Sequence, residues 1–252
     1  MGEGELDGWA ISSVLLALRV APVFALAPPF SLTPTPPLFR VLLGLGLAGC
    51  MAGFNPNARL AEFSTAAIAG AAASELFLGM IVVMVFHAAF GAVYLAGRLV
   101  DIQAGYGLAT LIDPSTRSQT PLVGTMLAYV AGVVFFAAGG HLELARILGA
   151  SLDAIPLGAG YAPGSLSHLT RFMGAAFVTS LGAVGGVVLA LFLTDVSIAL
   201  ISRTLPQMNV LVLGFQVKAL VLLAVLPLSL GLAAAQLARL MALTLEAVPR
   251  LM

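Results

Sequence analysis

The sequence RLVDIQAGYGLATLIDPSTRSQTP, from Arg98 to Pro121, separates two long apolar runs. It opens with the charges of Arg98 and Asp101, passes through Gly105-Tyr106-Gly107 and ends in a polar stretch. Irregular backbone at membrane depth is tolerated only where protein or a water-filled cavity surrounds it. This stretch is therefore the predicted functional centre of the chain, and we expect the segments around it to hold it in place.

The composition is strongly apolar: 60% of the 252 residues are hydrophobic, 9% are charged, and the mean hydropathy is +1.08. Soluble domains carry about 25% charged residues, so this chain has too little charge to cover a water-exposed surface. The composition predicts an all-α integral membrane protein. Eleven basic and eleven acidic residues give no net charge, which does not indicate a nucleic-acid partner. The single cysteine, Cys50, excludes an intrachain disulfide and a cysteine-based zinc site.

The residues before the first apolar segment are acidic, with Glu3, Glu5 and Asp7. A secretory signal peptide begins with a basic region, so we expect the first apolar segment to be retained as a membrane anchor. Leu6 stands where a myristoylation motif requires Ser or Thr, and no lipid anchor is predicted. Basic residues are spread almost evenly among the loops, so they do not fix the membrane orientation, although the acidic start favours an external N-terminus.

Hydrophobic segments separated by proline-rich, glycine-rich or polar stretches predict about six helices, arranged as long, kinked hairpins in one membrane domain over residues 1–252. The six segments are Ala10–Ala27, Leu38–Phe54, Ser64–Gly105, Leu122–Ala138, Phe172–Thr194 and Val210–Leu232. Five prolines in Pro28–Pro37 predict an extended or turning linker there. Asp195 is predicted to end the fifth segment, and the sixth is expected to continue as an amphipathic helix to Pro249.

The third segment contains 42 residues without proline, or about 63 Å if it is one helix. A bilayer core is about 30 Å thick, so we expect either a break near Gly91 or Gly97, or a helix that packs against protein beyond the lipid. Two motifs of small residues, Gly49-x-x-x-Gly53 and Gly182-x-x-x-Gly186, predict close approach of helix backbones.

The stretch LELARILGASLDAI, residues 142–155, predicts an amphipathic helix at the membrane surface or on a neighbouring helix. Its predicted apolar stripe is Leu142, Ala145, Leu148 and Leu152, and its charged residues are Glu143, Arg146 and Asp153.

Arg19 and Lys218 lie inside apolar segments, where a charge costs about 2.5–3.5 kcal/mol on insertion scales. We expect them to reach the membrane interface or to pair with residues such as Glu75 or Asp195, although a role facing a water-filled interior is the alternative. Arg98 and Asp101 are three residues apart on one helix, and this spacing favours a mutual ion pair.

The sequence contains no motif for metal binding or catalysis. Its three histidines are widely separated, and neither a phosphate-binding loop nor a nucleophile motif is present. Gly105-Tyr106-Gly107 lacks the preceding residues of a potassium filter, and its glycines are better explained as the place where the backbone leaves a helix. No metal, cofactor or enzyme activity is predicted.

Three separated stretches carry a resemblance to a known family: GYGLATLIDPSTRSQTP (105–121), AAGGHLELARILGASLDAIPLG (137–158) and SRTLPQMNVLVLGF (202–215). They resemble the flagellar biosynthetic protein FliR and its virulence counterpart in type III secretion export gates. The match is spread from about Arg98 to the end of the chain. The chain also agrees with the family in overall length, in its six apolar segments and in the position of each turn. The first ninety residues agree only in hydropathy and in the proline-rich linker.

The resemblance implies a channel-forming subunit of an export gate in the bacterial inner membrane, at the flagellar basal body. It implies a hetero-oligomer with FliP-like and FliQ-like membrane proteins, work beside FlhB-like and FlhA-like components, and passage of unfolded protein substrates. It also implies that the residues after the third helix form a plug. The plug residues are Gly105, Tyr106, Gly107, Leu108, Ala109, Thr110, Leu111, Ile112, Asp113 and Pro114, within Gly105–Pro121.

The sequence departs from the family pattern at two places. Leu108 and Leu111 stand where aromatic residues are common, so the resemblance implies an aliphatic seal. Gln216 replaces the proline of a Gly-Phe-Pro motif, which removes an expected kink. A stand-alone secondary transporter is the alternative function, with Arg98, Asp101, Lys218 and Asp195 as coupling groups at a broken helix. If the chain is instead a structural subunit, five polar residues are predicted to lie within the membrane or in contacts between helices: Glu75, Arg98, Asp101, Asp195 and Lys218.

Overall fold

The computed structural model describes residues 3–58, 64–106, 121–159, 166–204 and 210–252, and all regular structure in these ranges is helical. The predicted all-α fold is confirmed. Short 3-10 turns cover Phe30–Leu32 and Pro56–Ala58. The α-helices are α1 (Glu3–Leu26), α2 (Pro37–Phe54), α3 (Thr65–Gln103), α4 (Leu122–Ala137), α5 (Gly140–Ala154), α6 (Leu166–Thr204) and α7 (Val210–Leu251).

Five of these helices are long and apolar enough to cross a membrane: α1, α2, α3, α6 and α7. Helix α4 has 16 residues, or about 24 Å, which is short of a bilayer core. It forms a pair with α5 that is bent by 68°, and counting this pair as one broken span gives six. The structure therefore agrees with the prediction of about six membrane segments.

Helix α3 is continuous over 39 residues, so the chain does not break at Gly91 or Gly97. Helix α6 also has 39 residues and α7 has 42. Asp195 lies inside α6, and the prediction that it ends the fifth segment is wrong. A single charge interrupts hydropathy without interrupting backbone hydrogen bonds, so it does not stop a helix.

The chain divides into two compact units. The first consists of Met1–Ala89, Phe135–Met173 and Met241–Met252, and the second of Phe90–Val134 and Gly174–Leu240. Helices α3, α4, α6 and α7 each contribute residues to both units.

In the first unit, Gly44 is the glycine of α2 that lies closest to α1: a methyl group there would lie 2.6 Å from the Cα atom of Ala21. The predicted motif of Gly49 and Gly53 instead faces the ring of Trp9, which would lie 3.8 and 3.7 Å from added methyl groups. Only Gly44 therefore has the backbone contact that the Gly-x-x-x-Gly motif was expected to make, because the motif does not specify which turn of α2 meets α1.

An aromatic cluster lies beside these helices in the first unit. Phe30, from the proline-rich linker, packs within 4.8–6.1 Å of the ring centroids of Phe24, Phe135 and Phe136. Aromatic pairs at such distances stabilise a core beyond the area that they bury. The linker is thus anchored by a turn rather than simply extended.

Helix α5 is amphipathic as predicted, but its buried stripe differs. The buried residues are Gly140, Leu144, Leu148, Ser151 and Leu152. Leu142 is 59% exposed, so its assignment to the apolar stripe is wrong. Positions 144, 148 and 151–152 lie on one helix face at a period of about 3.6 residues, and Leu142 lies off that face.

In the second unit, α3 and α4 meet at two glycines. A methyl group on Gly97 would lie 2.5 Å from the backbone nitrogen of Gly124. In contrast, Gly182 lies near only the Gln236 side chain, and nothing described lies within 4 Å of a methyl group at Gly186. The close contact predicted for the Gly182-x-x-x-Gly186 motif is therefore not made between described residues of this chain.

Candidate functional site

The predicted plug begins inside the described part of the chain and then leaves it. Gly105, Tyr106 and Pro121 are described. The remaining predicted residues lie outside the described residues: Gly107, Leu108, Ala109, Thr110, Leu111, Ile112, Asp113 and Pro114. The structure thus defines both ends of the segment and the contacts that hold them.

Gly105 is where the backbone leaves helix α3. Its φ angle is +90°, a conformation that glycine adopts without the steric penalty of a side chain. A methyl group at this position would lie 2.6 Å from Cδ1 of Phe215 on α7. Both the backbone angle and the contact require glycine here, as expected for a residue that ends the helix.

Asp101 holds the beginning of helix α4. Its two carboxylate oxygens accept hydrogen bonds from the Val123 backbone N–H at 3.1 Å, and one of them accepts from Gly124 at 3.4 Å. The first N–H groups of a helix have no intrahelical partner and are usually capped by a preceding side-chain oxygen. Pro121 precedes α4 and has no such oxygen, so Asp101 provides the cap from the neighbouring helix.

The predicted ion pair between Arg98 and Asp101 is wrong. Both residues are described, and no ion pair joins them. Arg98 is exposed, whereas Asp101 is buried and its oxygens accept from the backbone of α4. A spacing of three residues allows an ion pair, but the uncapped N–H groups of α4 compete for the same carboxylate.

These contacts clamp the two ends of the 105–121 segment together. The Asp101 cap and the approach of Gly97 to Gly124 both join the last turns of α3 to the first turn of α4. Because both contacts involve buried backbone, the clamp does not depend on flexible side chains at the surface.

A second group of polar contacts surrounds the last residue of α3. The Lys218 ammonium on α7 donates to the backbone oxygen of Gln103 at 3.1 Å and lies 2.5 Å from Oδ1 of Asp195 on α6. The Gln103 amide donates to the backbone oxygen of Val188, also at 3.1 Å. The expected pairing of Lys218 with Asp195 is confirmed. The role of Gln103 was missed; its only sequence signal is a polar side chain two residues before Gly105.

The first unit contains a fully buried ion pair. The Arg19 guanidinium donates to both oxygens of Glu75 at 2.6 and 3.0 Å, and the two side chains are 0% and 1% exposed. Arg19 also donates to Ser151 Oγ at 2.9 Å and to the Ile155 carbonyl at 3.0 Å. The expected partner Glu75 is confirmed, and the pair joins α1, α3 and α5.

Within the described ranges, no three His, Cys, Asp or Glu side chains come together as a metal site. His87 contacts the Val83 carbonyl of its own helix at 2.9 Å. The contacts of Asp101, Lys218 and Arg19 join helices to one another, whereas that of His87 stays within α3.

The described helices and their buried polar contacts define a membrane protein with several helical spans. Residues 10–244 match the family described as "Bacterial export proteins, family 1". The chain belongs to this family, and the resemblance noted from the sequence is confirmed.

Relatives include proteins of both flagellar and virulence systems. Flagellar biosynthetic protein FliR of Bacillus subtilis (strain 168) is 27% identical over 212 residues, 81% of this chain and 80% of that protein. Yop proteins translocation protein T of Yersinia pestis is 32% identical over 148 residues, 57% of this chain and 56% of that protein. Surface presentation of antigens protein SpaR of Salmonella typhimurium is 26% identical over 218 residues, 85% of this chain and 81% of that protein.

Family membership makes the chain a membrane component of the flagellar or type III export apparatus. It also argues against a stand-alone transporter. Of the four charges assigned to coupling in that alternative, Asp101, Asp195 and Lys218 contact protein groups that hold helices together.

Proposed function

We propose that this chain is a channel-forming structural subunit of the flagellar or type III export gate. In this proposal the 105–121 segment is the plug that closes the channel until an unfolded substrate passes. The gate lies in the bacterial inner membrane at the flagellar basal body, or at the base of the corresponding virulence system. The chain acts by its structure and not as an enzyme.

The observation that carries the plug proposal is the clamp at the base of the segment. Asp101 and the Gly97–Gly124 contact hold the two ends together, and Phe215 packs on the first residue of the segment. A plug must block ions while closed, so its base needs a defined position. Between these ends lie the aliphatic residues Leu108–Ile112, and an apolar constriction blocks ions by excluding water.

The lengths and exposed faces of the helices support an assembly with other membrane proteins. Helix α3 is about 58 Å long, and a tilt of 40° would still leave about 45 Å along the membrane normal. This exceeds the bilayer core of about 30 Å, so part of the helix lies outside the hydrocarbon core. The same arithmetic applies to α6, which also has 39 residues.

Helices α6 and α7 bury little of their apolar surface within the chain: 22% and 11% of their most apolar stretches are buried, against 61% for α3. On α6 the exposed apolar residues extend from Met173 to Ile201, about 42 Å along the helix, which is longer than the hydrocarbon core. Apolar surface outside that core is stable only when protein covers it. We propose FliP-like and FliQ-like proteins as the covering partners, with FlhB-like and FlhA-like components beside them.

Replacement of Leu108–Ile112 by five glycines tests the plug. We expect cells that carry this variant to become permeable to small ions, because the apolar seal is lost, while the amount of assembled complex stays unchanged. The matched control replaces the polar residues Ser115–Ser118 of the same segment by glycines and should leave the membrane impermeable to small ions. Membrane potential and complex assembly on native gels are the readouts. An unchanged potential with Leu108–Ile112 replaced would contradict the plug.

A further inference from the structure

Lys218 contacts the base of the 105–121 segment at a place where a helix end needs a donor. The last carbonyls of an α-helix have no intrahelical N–H partner, and Gln103 is the last residue of α3. The Lys218 ammonium donates to this carbonyl at 3.1 Å. A cation near the C-terminus also interacts favourably with the helix dipole.

Two neighbouring contacts fix the same turn. The Gln103 side chain donates to the Val188 carbonyl of α6 at 3.1 Å, so Gln103 is held by α6 through its amide and by α7 through its carbonyl. Phe215 lies three residues before Lys218 on α7 and packs against Gly105. One face of α7 therefore contacts both the last helical residue and the residue at which the chain turns away.

Asp195 balances the charge of Lys218 within this group. Its Oδ1 lies 2.5 Å from the ammonium, and the side chains are 43% and 18% exposed, respectively. A lysine that only extends towards the membrane interface would place its ammonium in water and would not need a hydrogen bond to a backbone carbonyl. Here the ammonium has two acceptors from two different helices, and this geometry is specific.

We propose that Lys218 is a positioning residue that latches the end of helix α3, and with it the base of the plug, in the closed position. Asp195 orients the ammonium and keeps it at the Gln103 carbonyl. Passage of substrate then requires this hydrogen bond to break. The inference rests on the proposed function of the 105–121 segment.

The latch is tested by the accessibility of Ala104, which follows Gln103 and is only 2% exposed. Cys50→Ala removes the native thiol, and Ala104→Cys provides a reporter for a membrane-impermeant maleimide in the assembled complex. Lys218→Met should raise the labelling rate about tenfold or more, because loss of a charge-assisted hydrogen bond shifts the opening equilibrium by about that factor. Lys218→Arg retains a donor cation and should label within about twofold of the parent protein. An unchanged rate in Lys218→Met would overturn the proposal.

A charge exchange separates the latch from an ordinary ion pair. The double variant Asp195→Lys with Lys218→Asp restores opposite charges, but an aspartate at position 218 cannot donate to the Gln103 carbonyl. We expect this variant to assemble to the parental level while the Ala104→Cys reporter still labels as rapidly as in Lys218→Met. Slow labelling in the charge-exchanged protein would show that the pair is only structural and would refute the latch.

Ion permeability distinguishes failure of the latch from failure of the proposed function. If replacing Leu108–Ile112 makes membranes leaky but Lys218→Met leaves both potential and labelling unchanged, the latch is wrong and the plug stands. If membranes with the Leu108–Ile112 replacement and membranes with Lys218→Met both stay impermeable to ions, the segment is not a plug. The gating role of Lys218 is then refuted as well. Rapid labelling and an ion leak in Lys218→Met are the result that the latch predicts.

Discussion

Removal of one member of the buried Arg19–Glu75 pair should destabilise the protein strongly. Arg19→Met keeps the length of the side chain and removes its charge. The Glu75 carboxylate then remains buried, and among the described residues it keeps only a hydrogen bond from the Gly158 backbone N–H, at 3.5 Å. Breaking a buried ion pair by removing one partner costs about 3–5 kcal/mol, and we expect this loss in the free energy of unfolding.

Removal of both members should cost much less. Arg19→Met combined with Glu75→Leu leaves no buried charge at this site, and its main loss is the donor to the Ile155 carbonyl. One unsatisfied buried acceptor costs about 1–3 kcal/mol, whereas apolar replacement of a whole buried pair is often neutral. We therefore expect the double variant to be about 2 kcal/mol more stable than Arg19→Met alone.

The measurement is unfolding of the purified chain in mild detergent by sodium dodecyl sulfate, followed by circular dichroism. Arg146→Met is the matched control, because its pair with Glu143 is exposed on both sides, and such pairs contribute about 0–1 kcal/mol. A loss below about 1 kcal/mol in Arg19→Met would refute the reasoning. So would a double variant less stable than either single variant, because it would show that the buried, unpaired charge is not the main cause of the instability.

Two further predictions concern the contact between α3 and α4. Gly97→Ala should destabilise the purified chain by about 1–3 kcal/mol in the same unfolding assay, because the new methyl group meets the backbone of Gly124. Gly91→Ala on the same helix meets nothing described within 4 Å and should stabilise by about 0.5–1 kcal/mol; equal effects at the two positions would refute the close contact. Asp101→Ala should cost about 1.5–3 kcal/mol through loss of the charged cap, and Asp101→Asn less, because one acceptor oxygen remains. If Asp101→Ala leaves stability unchanged, the cap is not significant.

The fold class could be predicted because it depends on composition. Too few charges exist to cover a soluble surface, and the long apolar runs are long enough for membrane-spanning helices. The continuous α3 follows from the absence of proline over the third segment. The four glycines inside that helix lower its propensity by only about 1 kcal/mol each, which lipid and packing outweigh.

The partners of the charged residues were only partly predictable. Arg19 and Lys218 needed acidic partners because charge is scarce and burial is costly, and few acidic residues were available. Asp101 was different, because the competing donors were backbone N–H groups of α4 that no sequence pattern displays. They became visible only when the structure placed the first turn of α4 beside Asp101.

Helix registration was the least predictable feature. The motif of Gly49 and Gly53 indicates small residues on one face of α2. It does not indicate which turn meets α1, and the close approach is at Gly44. Similarly, Gln103 could not be recognised from sequence as a contact of Lys218, because 115 residues separate them.

The central claim is that Leu108–Ile112 closes a channel in an assembled export gate. Its most direct test is the electrical conductance of the purified hetero-oligomeric complex in a planar lipid bilayer. We expect the parent complex to be closed to small ions, and the complex with five glycines at these positions to show persistent open-channel currents. Equal currents from the two complexes, with assembly intact in both, would contradict the account.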